Sequence, residues 1–177
     1  MGPIAYPLCQ KALIGPLMWI TGLCAFPALV SPVSLPLSSG GETVSASFTA
    51  PVDKRYQFVL RFDFESTEAR LKDEIVGKRQ YRPECDDGSN SLVGNPEYGR
   101  PIPIRVVIRA AKDRSVVVDK QFTSLCAMGH VDASRTRSVG WVTLLSGDYT
   151  MEATNVEPQA GLTNVRTFIY LVSGGGK

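Results

Sequence analysis

The chain has 177 residues, of which 44% are apolar, 20% charged and 8% aromatic. That length supports one domain with its own hydrophobic core, and the apolar fraction excludes a disordered chain. Nineteen Lys+Arg against seventeen Asp+Glu, a net charge of +2, disfavour an electrostatic nucleic-acid binder, and the single histidine, His130, removes most metal and acid–base chemistries that need two.

The N-terminal part differs from the rest. Half of the twelve prolines (Pro3, Pro7, Pro16, Pro27, Pro32 and Pro36) lie in it, and no charged residue occurs between Lys11 and Glu42. Residues 12–30, ALIGPLMWITGLCAFPALV, follow a weakly positive front end and precede small residues, the layout of a secretory signal peptide. A membrane helix of ~20 apolar residues is the competing reading, although Pro16 and Pro27 interrupt it. Leu23 before Cys24 does not fit a lipoprotein signal. Residues 1–40 are therefore expected to be a signal peptide or apolar segment outside the fold, cleaved after Ala25, after Ala28 or within 38–40. Membrane contact is expected only through this segment, if it is retained. The remainder has eighteen basic and seventeen acidic side chains, a net of +1.

From Thr43 onward the dominant period is two, which predicts strands. Residues 43–50 alternate through Val44, Ala46, Phe48 and Ala50. Residues 56–64 (YQFVLRFDF) give the clearest strand, with Tyr56, Phe58, Leu60, Phe62 and Phe64 on one face, and four aromatics there read as core. Ser66 can cap a short helix over 66–77 ended by Gly77. Residues 78–103 form a long polar loop containing Cys85. Strands at 104–110 and 115–122 make a hairpin, and a second polar loop holds Cys126, His130 and Asp132. Strands at 138–145, 149–155 and 165–172 precede a flexible tail over 174–177. About seven hairpin-spaced strands and one helix over 41–173 predict an all-β fold, an immunoglobulin-like or jelly-roll antiparallel β-sandwich. Tyr149, just after the 146–148 turn, stands where a tyrosine corner would, its hydroxyl bonding to the preceding backbone.

Cys85 and Cys126 remain after the N-terminal segment, and an even number in an exported domain argues for a disulfide. Closing a loop of about forty residues contributes on the order of 4 kcal/mol in the chain-entropy account. A metal site at Cys126, His130 and Asp132 is the alternative, but four ligands are wanted and a second pair is missing. No nucleophile elbow, phosphate loop or dinucleotide fingerprint occurs. The acidic run 84–90 lacks the spacing of a calcium loop and reads as a solvated turn. Arg100, Arg105, Arg109 and Arg114 bracket one hairpin, with Arg135 and Arg137 in a later loop, and read as the solvent face of the sandwich. The candidate binding surface comprises Asp86, Asp87, Tyr98, Arg100, His130 and Trp141; no catalytic residue, metal or cofactor is expected.

Four segments carry a resemblance: YQFVLRF (56–62), GRPIPIRVVI (99–108), VVVDKQFTSLC ending at Cys126, and GDYTMEATNVEPQAGL (147–162). They resemble the exported bacterial family called domain of unknown function five-six-two-five. The resemblance implies export, one β-sandwich and a Gram-negative source, and it carries no active-site residues across. The expectation is a non-enzymatic envelope protein, periplasmic or at the cell surface, that binds another protein in the manner of an immunity or adaptor protein. The alternative is a carbohydrate-binding or glycan-processing module using the Asp86/Asp87 loop and Tyr81, Tyr98 or Trp141. Alkylation of the native protein without reductant should leave Cys85 and Cys126 unmodified in a peptide mass map; modification of both would refute their pairing.

Overall fold

In the computed structural model, which describes residues 28–78, 85 and 95–173, period-two segments form two antiparallel sheets. The strands are β1 (Val30–Ser34), β2 (Thr43–Ala50), β3 (Lys54–Asp63), β4 (Ile102–Ala110), β5 (Val116–Ser124), β6 (Ala127–Val131), β7 (Ser134–Leu144), β8 (Gly147–Asn155) and β9 (Arg166–Val172). One sheet has the order β1-β9-β3-β7-β6 and the other β2-β8-β4-β5. The fold is thus the all-β sandwich that the alternation predicts, with one short α-helix among the described residues, α1 (Thr67–Lys72). Ser66 caps that helix, its Oγ accepting from the Ala69 amide at 3.1 Å.

Tyr56, Phe58, Leu60 and Phe62 of β3 all point inward and have no exposed surface. They meet Ile104, Val106 and Ile108 of β4 and Met151 and Ala153 of β8 in one continuous core. Burying each large apolar side chain contributes about 1.5–3 kcal/mol, so this layer holds the sheets together. Phe48 and Tyr149 face each other across the β2–β8 ladder, ring centroids 5.6 Å apart. The Tyr149 hydroxyl donates to the Leu145 carbonyl at 3.0 Å, and the Tyr56 hydroxyl donates likewise to Val52 at 2.6 Å. Each inward tyrosine thus fastens the turn that precedes its own strand.

Phe58 pairs with Gly140 and Val59 with Ser138, so Val139 forms a bulge in β7. Beside it Phe122 of the opposite sheet packs onto Gly140, where an added Cβ would stand 2.1 Å from the ring.

The sequence expectation is corrected in several places. Residues 30–40 are not outside the fold. β1 pairs with β9, and Leu35 and Leu37 are buried while the chain crosses to the second sheet. Pro32 falls where the β1–β9 register shifts, on an edge strand that tolerates the missing amide. Residues 127–131, read as loop, form the edge strand β6. The helix ends at Lys72 instead of Gly77, because Asp73 has an extended backbone and accepts hydrogen bonds from the amides of Ile75 and Val76.

Gly140→Ala should lower unfolding stability by about 1–3 kcal/mol, since the Phe122 ring must shift to admit a methyl group. A urea titration checks this; an unchanged midpoint would mean that the ring moves freely.

Candidate functional site

β5 and β6 lie in different sheets, so the chain must change sheets between Ser124 and Ala127. Cys126 makes the corner with a backbone φ of 68° and donates its amide to the Tyr98 carbonyl at 3.2 Å. Its sulfur is bonded to Cys85, and Cys85, Tyr98, Leu125 and Cys126 form a small buried cluster. The loop read from sequence as tied by this disulfide is tied there.

Two arginines of β7 support the same corner from within. Arg137 has no exposed surface and donates to the carbonyls of Arg100 (3.0 Å), Ile75 (3.4 Å) and Ser124. Burial pushes its guanidinium down to about 9, with the Asp73 carboxylate acting in the opposite sense, so it is charged at neutral pH. Arg135 donates to the carbonyls of Gly77 and Arg70 and lies 3.6 Å from Asp73. Burial holds Arg135 below the usual guanidinium range, with Asp73 opposing and Arg70 adding to the shift. Arg70, itself buried, reaches the Asp132 carbonyl at 2.7 Å. The reading of Arg135 and Arg137 as solvent-facing is therefore wrong: they are internal struts.

These struts hold two backbone segments side by side. Lys78 donates to Glu97 and Arg100 to Ile75, both at 2.8 Å. Gly77 and Gly99, each near φ 79°, sit so close that a Cβ on Gly77 would meet the Tyr98 carbonyl carbon at 2.4 Å.

The outcome is a groove of about 470 Å³ at this end of the sandwich, between α1, the 73–75 segment, Arg100 and the loop 161–165. Phe64, Ala69, Ile75 and Val165 supply apolar lining, and Glu65, Lys72, Glu74, Arg100 and Asn164 supply polar groups of both signs. Ile75 closes it against Gly161, whose φ of 97° favours glycine. A recess of about 340 Å³ shares Phe64, Glu65 and Asn164 with it and continues to Asp63 and Arg166.

Among the described residues, the sequence candidates do not gather into one surface. Tyr98 is buried at 3% exposure and packs on the disulfide, so it is no contact residue. Arg100 is exposed and lines the groove. His130 is exposed on the edge strand β6, and Trp141 is half-buried on the outward face of β7, opposite Gln57. The Arg55 guanidinium lies 5.1 Å from the Trp141 ring centroid. Asp86, Asp87 and Tyr81 lie outside the described residues. Among the described residues no group of three or more His, Cys, Asp or Glu is placed to hold a metal ion, and no helix is long and apolar enough to cross a membrane. Sequence reasoning missed the groove because Phe64, Ile75 and Val165 come from three segments with no shared periodicity.

The family model for "Domain of unknown function (DUF5625)" matches residues 31–173, and the chain belongs to that family. A crystal structure of a protein from Sulfurospirillum deleyianum is similar in fold, with TM-score 0.60 and 19% identity over 82% of this chain and 99% of that one. No curated protein matches.

Arg137→Met should destabilise the protein by about 2–4 kcal/mol in urea unfolding, because the Ser124 and Arg100 carbonyls lose a guanidinium donor and the Ile75 carbonyl keeps only the Arg100 amide. Arg137→Lys should recover less than half of that loss, since one ammonium cannot reproduce the guanidinium fork. Full recovery by lysine would show that the charge alone matters.

Proposed function

We propose that this member of the DUF5625 family is an exported, non-enzymatic protein of the Gram-negative envelope that binds another protein through the groove beside α1. The observation that carries the reading is the groove's construction: an apolar floor with a rim of mixed charge, on backbone held by buried Arg135 and Arg137. A preformed recess of this kind receives a partner's side chains without first ordering its own backbone, and that lowers the entropic cost of association. The exposed Arg100 at its edge is a residue type enriched in interface hot spots. The disulfide and the absence, among the described residues, of a membrane-crossing helix are compatible with an exported protein.

The alternative reading, a glycan module, draws on Trp141. There the stacked Arg55 occupies one face of the ring that a sugar would need.

Affinity capture from envelope extracts with the oxidised protein should recover one protein in near-stoichiometric amount. The double variant Glu74→Arg, Arg100→Glu should cut recovery at least about tenfold, equivalent to about 1.4 kcal/mol. Trp141→Ala should leave recovery unchanged. An empty capture, with glycan binding that Trp141→Ala abolishes, would transfer the assignment to the glycan reading.

A further inference from the structure

We infer that a second copy of this chain pairs along β2, joining the two four-stranded sheets into one of eight strands. Edge strands present unpaired amides and carbonyls that invite another strand unless something blocks them. Three of the four edges here are blocked. β1 carries Pro32 at a register shift, and β6 has only five residues with a shift of its own. β5 is bulged opposite the Ile108–Arg109 step and places Asp119 and Lys120 in mid-strand. β2 has no such device. It keeps eight consecutive residues in register with β8 and holds no charge, proline or bulge. β1, which flanks it across the sandwich, is uncharged too.

The register shows which groups of β2 face outward. The Asn155 amide donates to the Glu42 carbonyl at 2.9 Å, and Glu42 stands opposite Asn155 where Thr43 pairs with Thr154. Bonding toward a neighbour alternates along an antiparallel strand. Val44, Ala46 and Phe48 therefore bond toward β8, while Thr43, Ser45, Ser47 and Thr49 direct their amides and carbonyls away from it. The same four residues have exposed side chains.

The order of side chains identifies the occupant. Residues 43–49 read TVSASFT, the same chemistry in both directions about Ala46. Antiparallel pairing of two copies about that residue sets each Thr43 against the other copy's Thr49, Ser45 against Ser47, Val44 against Phe48 and Ala46 against Ala46. Hydroxyl meets hydroxyl on the outer face and apolar meets apolar on the inner one, as in pairs that stabilise neighbouring strands. The parity agrees as well: the outward amides and carbonyls of Thr43, Ser45, Ser47 and Thr49 meet one another, so no bond of the β2–β8 ladder is broken.

Packing points the same way. Val44 and Ala46 lie half-buried at the rim of the core in a single copy, and the pairing covers them. No like charges meet, as they would if β5 paired with itself about Asp119 or Lys120. No residue of β2 lines the groove, so the inference does not depend on the groove's role, and a dimer built this way carries two copies of it.

The test is light scattering on the full, oxidised chain, whose mass is expected at twice the 19.2 kDa of one chain. Ser45→Lys with Ser47→Lys sets like charges directly opposite one another and should give the mass of one chain. Ser45→Glu with Ser47→Glu should do the same, and an equimolar mixture of the two variants should return the double mass. Both positions are exposed, and unchanged hydrogen exchange in β3 and β7 confirms that the variants are folded. Ala46→Cys, oxidised in air, should give a covalent dimer linked through position 46 of both copies, because residues paired without mutual hydrogen bonds stand about 4.5 Å apart at Cα. A wild-type mass of one chain would overturn the inference. So would a double mass that the lysine variant retains, which would place the contact elsewhere, or a mixture of folded variants that stays monomeric. A dimer with no link at position 46 would overturn the register, and protection of the 43–49 amides only after a captured protein is added would reassign the edge to a foreign strand.

Discussion

A guanidinium with no exposed surface ties together three parts of the chain at one end of the sandwich. Arg137 projects from β7 and donates to Ile75 after α1, to Arg100 before β4, and to Ser124 at the end of β5. Desolvating such a charge costs several kcal/mol, and an apolar residue of similar size would transfer to the interior more easily. What an apolar residue cannot do is satisfy carbonyls that the strands leave without partners where they end. A planar fork of five donors suits this task, and an ammonium on a flexible stem does not.

The surrounding features follow from that constraint. With Ile75 and Arg100 drawn to one guanidinium, their segments approach closely enough that only glycine fits at 77 and 99. With Ser124 held as well, the chain must turn sharply to enter the other sheet, and Cys126 accepts a left-handed backbone to do so. The disulfide to Cys85 then fixes the far side of the same corner. Asp73 serves both ends of the arrangement: its carboxylate accepts from the amides of Ile75 and Val76 and offsets the positive charge of Arg135. The groove is the outer surface of this assembly, so its shape is fixed by side-chain-to-backbone bonds more than by sheet pairing.

Much of the sandwich is legible in the sequence because burial on one face imposes strict alternation, as in Tyr56, Phe58, Leu60 and Phe62. Tyr149 and the Ser66 cap are legible because each acts within four residues of its own position. The buried arginines are not legible, and the reason is the bulge at Val139. Val142 and Leu144 point inward; counting back by twos would put Ser138 and Thr136 inside and Arg137 and Arg135 in water. The extra residue reverses the parity, so Arg137 pairs with Leu60 and Arg135 with Phe62 on the inner face. β1 escaped for a related reason: its prolines and its register shift erase the period that identifies a strand. The groove has no period to find, because its lining is assembled from three segments.

The two ends of the sandwich solve one problem with different chemistry. Wherever a strand stops, carbonyls lose their ladder partners and must be satisfied by water or side chains. At the hairpin end tyrosine hydroxyls do this within four residues of their own position, and Asp53 serves the Ser146 amide of a neighbouring turn, while side chains such as Leu145 point outward. At the groove end the orphan carbonyls belong to segments far apart in the chain, and only long donors from β7 reach them all. The first device makes protruding tips and the second a concave, rigid wall. A sandwich whose ends are finished so differently carries two distinct surfaces on one core.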